Sequence, residues 1–122
     1  MSGIEIETHS WFVEKESDPE HGHYVFAYTI TISNSGAMPG QLLSRHWFVT
    51  DGADQVEEVE GPGVVGKQPR LEGGESFRYT SAAVLGTPVG SMYGSYEFRR
   101  DDDTRFRVLI PAFTLAVPSA IH

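Results

Sequence analysis

The chain has 122 residues, 39% of them hydrophobic, with 13 Gly, 7 Pro and no Cys. At this size one domain is expected over residues 1–122, able to bury roughly two thirds of its unfolded surface, and the aromatic content spread along its length excludes a disordered chain. With 9 Lys and Arg against 17 Asp and Glu, the formal charge of -8 repels phosphate-rich partners, so no nucleic acid is expected as a ligand, and the missing cysteine excludes disulfides and thiolate metal sites.

The amino-terminal stretch "MSGIEIETHSW" has no basic segment leading into an apolar run. No apolar run approaches the roughly 18 residues that would span a membrane. A cytoplasmic protein with no membrane partner is expected. Ile4 and Ile6 fall on one parity and Trp11 and Val13 on the other, which predicts a strand with a bulge or bend near Thr8 to Ser10. "EKESDPEHGHY" follows as a polar loop. "YVFAYTITIS" then puts Phe26, Tyr28, Ile30 and Ile32 on one face and Val25, Ala27, Thr29 and Thr31 on the other. Its aromatic and β-branched residues suit a central strand.

In "QLLSRHWFVTD" Leu43, Trp47 and Val49 are expected to share a face, ahead of a turn at Asp51-Gly52. An acidic strand, "QVEEVE", leads into a glycine-rich loop; after the turn Gly73-Gly74, "ESFRYTSAAVL" alternates Phe77 and Tyr79 against Arg78 and Thr80. "SMYGSYEF" aligns Met92, Gly94, Tyr96 and Phe98, and "RRDDDT" connects it to "RFRVLIPAFTLAV". Pro111 lacks a ladder donor and predicts a bulge or an unpaired edge. Seven or eight antiparallel strands without a helix imply an all-β sandwich of immunoglobulin or fibronectin type III kind.

Gly61, Gly63 and Gly66 match the G-x-G-x-x-G spacing of dinucleotide-binding loops, which makes them a candidate phosphate loop. In that fold the glycines open a helix whose N-terminal N–H groups meet the pyrophosphate. Here Pro69 follows three residues after Gly66, Pro62 removes a donor, and Glu57, Glu58 and Glu60 stand upstream. The glycines are therefore expected to serve backbone geometry, in a loop stiff enough to present a fixed shape to a partner.

Candidate metal ligands are Glu20, His21 and His23, because two histidines spaced two apart share a face on a strand and imidazole suits cobalt or zinc. Asp101 to Asp103 lack the spacing of a calcium loop and are expected to form a solvated turn. His46 lies on the face opposite Arg45 and Trp47, with Ser44 on its own parity. No acidic partner that would complete a hydrolytic set is assignable from sequence, so no catalytic residue and no cofactor are expected. Trp47 is expected in the core. An exposed Arg45 would suit a protein contact.

Taken in order and spacing, "YTITISNSG", "LLSRHWFVTD", "EVEGPGVVGKQP", "GESFRYTSAAVLGTPVGSMYGSYEF" and "RFRVLIPAFTLAVP" resemble the bacterial ApaG proteins, also called CorD, from about Tyr24 to Pro118. The resemblance implies a fibronectin type III-like sandwich. It also implies a protein-binding module, since the same domain occurs in an F-box protein and in a DNA polymerase delta-interacting protein. The bacterial family is linked to cobalt and magnesium tolerance or efflux, and its name reflects the company of a diadenosine tetraphosphate hydrolase. The motif residues carried onto this chain are Ser44, Arg45, His46, Trp47, the three loop glycines, Gln68 and Pro69. Asp101 to Asp103 depart from it, standing where a glycine-containing turn is expected. The expected function is non-enzymatic protein binding, with Arg45, His46, Gly63, Gln68 and Pro69 as contact candidates. A divalent-cation or nucleotide-responsive regulator is the alternative. Edge strands of a sandwich also permit a weak homodimer beside the monomer.

Overall fold

Alternating apolar side chains with a period of two can bury one face only against a second sheet, and this chain does so twice. The computed structural model describes residues 2–120, among which eight strands run in chain order: β1 (Ile4–Phe12), β2 (Tyr24–Asn34), β3 (Gly40–Asp51), β4 (Val56–Pro62), β5 (Arg70–Leu71), β6 (Ser76–Leu85), β7 (Val89–Arg99) and β8 (Arg105–Ala116). A three-stranded antiparallel sheet has the order β1-β2-β6, and a five-stranded one the order β4-β3-β7-β8, with β5 also pairing β3. The architecture is the expected immunoglobulin or fibronectin type III-like sandwich. No helix of the described residues is long and apolar enough to cross a membrane.

The core forms where the inward parities meet. Phe26, Ile30 and Ile32 of β2 are fully buried against Leu42, Tyr96, Phe98 and Leu115 from the larger sheet. Burial of each such side chain contributes about 2 kcal/mol. Trp47 is buried as expected, edge-on to Tyr96 at 6.2 Å and to Phe113 at 6.0 Å. The hydroxyls of Tyr79 on β6 and Tyr96 on β7 hydrogen-bond each other inside this core, so this polar link between the sheets is self-satisfied. Burial pushes the pKa of both phenols well above the ordinary tyrosine value.

Two expectations of phase are corrected. β1 pairs β2 from Ile4 to Phe12 in unbroken register, so the bulge expected near Thr8 to Ser10 does not form. Phe12 continues the inward face instead, and Trp11 points outward with 42% of its surface exposed. In β3, Leu42 pairs with Phe98 and Ser44 with Glu97, which makes Leu43 the extra residue of a bulge. The phase shift puts Leu42 rather than Leu43 in the core with Trp47. Pro111 behaves as predicted: Met92 to Gly94 of β7 faces Ile110 to Phe113 of β8, so a bulge absorbs the missing donor. Asp103 takes a φ of 69° at the β7–β8 turn, a left-handed conformation that aspartate tolerates. Asp therefore stands in for the glycine expected there.

Candidate functional site

β3 lies between β4 and β7, and beyond its bulge Ser44, His46 and Phe48 point away from the core. Strand register then sets their neighbours. His46 stands opposite Glu60 on one side and Ser95 on the other, and Phe48 opposite Glu58 and Tyr93. Next in the row, Ser95 faces Leu109 of β8. Phe48 and Tyr93 stack at 5.1 Å with an interplanar angle of 16°, and the His46 ring lies 4.6 Å from Phe48. Tyr93 and Leu109 remain 45% and 72% exposed. The small Ser44 and Ser95 leave a depression of about 540 Å³ between His46, Glu60, Glu97 and Arg107.

His46 is not a lone ring. Its Nε2 lies 2.7 Å from Glu58 Oε2 and 3.2 Å from Glu60 Oε1. Among the described residues this is the group that brings three possible ligand atoms within 4.8 Å of one another. Sequence reasoning weighed Glu58 and Glu60 only as a barrier to phosphate, because their partner sits across a strand pairing. The alternation of Glu58 and Glu60 on one acidic strand was the available signal.

The expected metal candidates are not assembled in the same way. Pro19–His21 forms a 3₁₀ turn closed by Gly22 in the left-handed region, so the strand spacing assumed for His21 and His23 does not apply. His21 Nδ1 lies 2.6 Å from Asp18 Oδ2. His23 and Asp18 exchange backbone hydrogen bonds of 2.7 and 3.0 Å, and Glu20 is exposed within the turn.

The glycine loop has a structural explanation at each position. β4 and β5 pair along one edge of β3, and residues 63–69 bow out between them, opposite the Leu43 bulge. Val64 and Lys67 close a two-residue hairpin whose central residues, Val65 and Gly66, both have positive φ, 44° and 79°, as in a type I′ turn. Gly63 has a φ of 62°, and a Cβ there would lie 2.4 Å from the Lys67 carbonyl oxygen. Arg45 packs over Gly61 and donates to the carbonyls of Pro62 and Gly63 at 2.9 and 3.0 Å. Gln68 Nε2 donates to the Leu43 carbonyl at 2.9 Å, and the Pro69 carbonyl accepts from Leu42 N–H at 2.9 Å. Arg45, Gly63, Gln68 and Pro69 thus hold the loop to β3. The N–H groups of Gly63, Val64 and Lys67 already bond to protein carbonyls, which leaves them no donor for a phosphate.

Elsewhere, Arg70 grips Asp101 through contacts of 3.1 and 2.6 Å. That hydrogen bonding holds the Asp101 carboxyl below the usual carboxylate range and pushes Arg70 up. Hydrogen bonds from Thr104 likewise lower Asp102. The acidic turn is therefore braced by protein groups.

Residues 14–100 match the family described as the ApaG domain, a span that contains β2 to β7 with the loop, His46, Glu58, Glu60 and the Phe48–Tyr93 stack. The chain belongs to the ApaG family. It is 56% identical over 119 residues to an ApaG protein of Azoarcus sp., covering 98% of this chain and 94% of that protein. It is 53% identical, with the same coverage, to one of Dechloromonas aromatica. A Bordetella pertussis protein solved under the name ApaA superposes with a TM-score of 0.92 at 46% identity over 94% of each chain. The ApaG resemblance and the sandwich expected from alternation therefore agree.

Proposed function

We propose that this ApaG domain is a non-catalytic binding module that engages a protein through the outer face of its five-stranded sheet. The observation that supports it is the row of His46, Phe48 and Tyr93, with exposed Leu109 beside it. Aromatic side chains already stacked on a strand lose little further freedom when covered, and Tyr is enriched among residues that carry binding energy. Glu58 and Glu60 flank the row on the β4 side, so a partner with an apolar centre and a basic margin fits. The loop residues Arg45, Gly63, Gln68 and Pro69 support the face rather than compose it. A nucleotide ligand gains no support, because the N–H groups of Gly63, Val64 and Lys67 are engaged with protein carbonyls and, among the described residues, no helix follows the loop to present further donors.

The test compares quantitative affinity capture by the wild-type chain and by Tyr93→Ser/Leu109→Ser from a lysate of its own cells. Proteins recovered specifically by the wild type should fall at least about tenfold with the variant, the equivalent of one hot spot. Recovery unchanged by the variant, at equal thermal stability, would refute the assignment of this face.

A further inference from the structure

We propose that His46, Glu58 and Glu60 form a binding site for one borderline divalent cation of the zinc class. These residues border the protein-binding face proposed above, but the cation site is tested without a partner, whereas that reading is tested at Tyr93 and Leu109. Glu58 and Glu60 are two apart on β4 and so project from the same face. His46 faces Glu60 across the β3–β4 pairing, and its ring leans against Phe48, the residue opposite Glu58. That lean brings Nε2 within 2.7 Å of one carboxylate and 3.2 Å of the other.

Metal–ligand bonds of about 2.1 Å in a tetrahedral site put the bonded atoms about 3.4 Å apart. The His46–Glu60 separation already matches. Glu58 must swing outward by about 0.7 Å, which its exposed side chain can do by rotation. The set sits on two paired strands, and the aromatic contact with Phe48 limits how the imidazole turns.

Charge points the same way. Two carboxylates converge on one imidazole, and among the described residues the basic partner recorded for both is His46. A divalent cation would offset their mutual repulsion. Imidazole with carboxylate favours zinc-class ions, whereas magnesium and calcium prefer all-oxygen shells. The open side of the cluster leaves room for water in the remaining position.

Calorimetric titration of the full chain with zinc chloride, and separately with magnesium chloride, tests the site. One zinc ion per chain is expected to bind, with no magnesium heat. His46→Ala should weaken zinc binding at least about tenfold, since even substitutions behind a metal ligand cost 10–100-fold. Glu58→Gln and the isosteric Glu60→Gln should each weaken it several-fold. The double variant His21→Ala/His23→Ala should bind as the wild type does. Zinc should also shift the backbone amide resonances of residues 46 and 58–60, a readout that does not depend on any activity. The three substitutions lie on the outer face, and unchanged melting temperatures would verify their folding. Absence of zinc binding, binding that His46→Ala leaves intact, loss in the His21/His23 variant, or equal binding of magnesium would each overturn the proposal.

Discussion

The outer faces of the two sheets carry one half-exposed aromatic each, and they hold it differently. On the three-stranded sheet, hydroxyls are paired across strands, Thr29 with Thr80 at 2.8 Å and Ser33 with Ser76 at 3.0 Å. Trp11 stands at one end of that face, on the edge strand β1, tilted against His9. On the five-stranded sheet, Tyr93 lies on the interior strand β7, stacked on Phe48 of the interior strand β3. The first face uses its polar groups on itself. The second keeps a rigid aromatic row open, with Phe48 laddered to β4 on one side and β7 on the other, and such rigidity is what a binding surface needs.

The largest expected effect erases the contrast altogether. Trp47→Ala removes the ring that packs under both sheets, against Tyr28 of β2 and Tyr96 of β7, and should cost about 3–5 kcal/mol in denaturant unfolding. Next is Tyr96→Phe, which orphans the buried Tyr79 hydroxyl and should cost about 1–3 kcal/mol, while Tyr79→Phe/Tyr96→Phe recovers much of that loss. The same pair sets an alkaline limit. Both phenols have folded pKa values raised above their unfolded value of about 10, so stability should hold below pH 10 and decline above it. The double Phe variant should lessen that decline.

Gly63→Ala should cost about 2 kcal/mol, from its positive φ and its approach to the Lys67 carbonyl. The Phe48–Tyr93 stack lies outside this loop and should remain intact if the chain stays folded. The comparison itself is sharpened by the smallest pair. Thr29→Ala should lower stability by about 1 kcal/mol through loss of the Thr80 hydrogen bond. Tyr93→Ser should cost a similar amount, about 1 kcal/mol, through the lost stack on Phe48, yet weaken partner capture several-fold, which Thr29→Ala should not. Equal capture by the two variants would mean that the larger sheet's face serves the fold rather than a partner.

Alternation made the sandwich legible because each core strand repeats with a period of two, as in Phe26, Tyr28, Ile30 and Ile32. It failed at Leu43, where a one-residue bulge, invisible to composition, inverts the phase, and at Trp11, where a large apolar side chain faces outward. Pro111 was readable because a missing N–H has one local consequence. The glycine loop was readable as structure, since Pro62 and Pro69 argued against a phosphate cradle. Its dependence on Arg45 was not, because that contact joins residues 17 and 18 apart. The outer face was hidden for the same reason. Stacking of Phe48 on Tyr93, and convergence of Glu58 and Glu60 on His46, are products of strand register, which a single sequence does not state.

The most direct measurement is site-specific photo-crosslinking in the protein's own cells, with a benzoyl-phenylalanine placed in turn at Tyr93 and at Trp11. A discrete protein adduct from position 93, absent from position 11 and lost on adding Leu109→Ser, is the expected result. Adducts from position 11 and none from position 93 would contradict the assignment and move the binding surface to the smaller sheet.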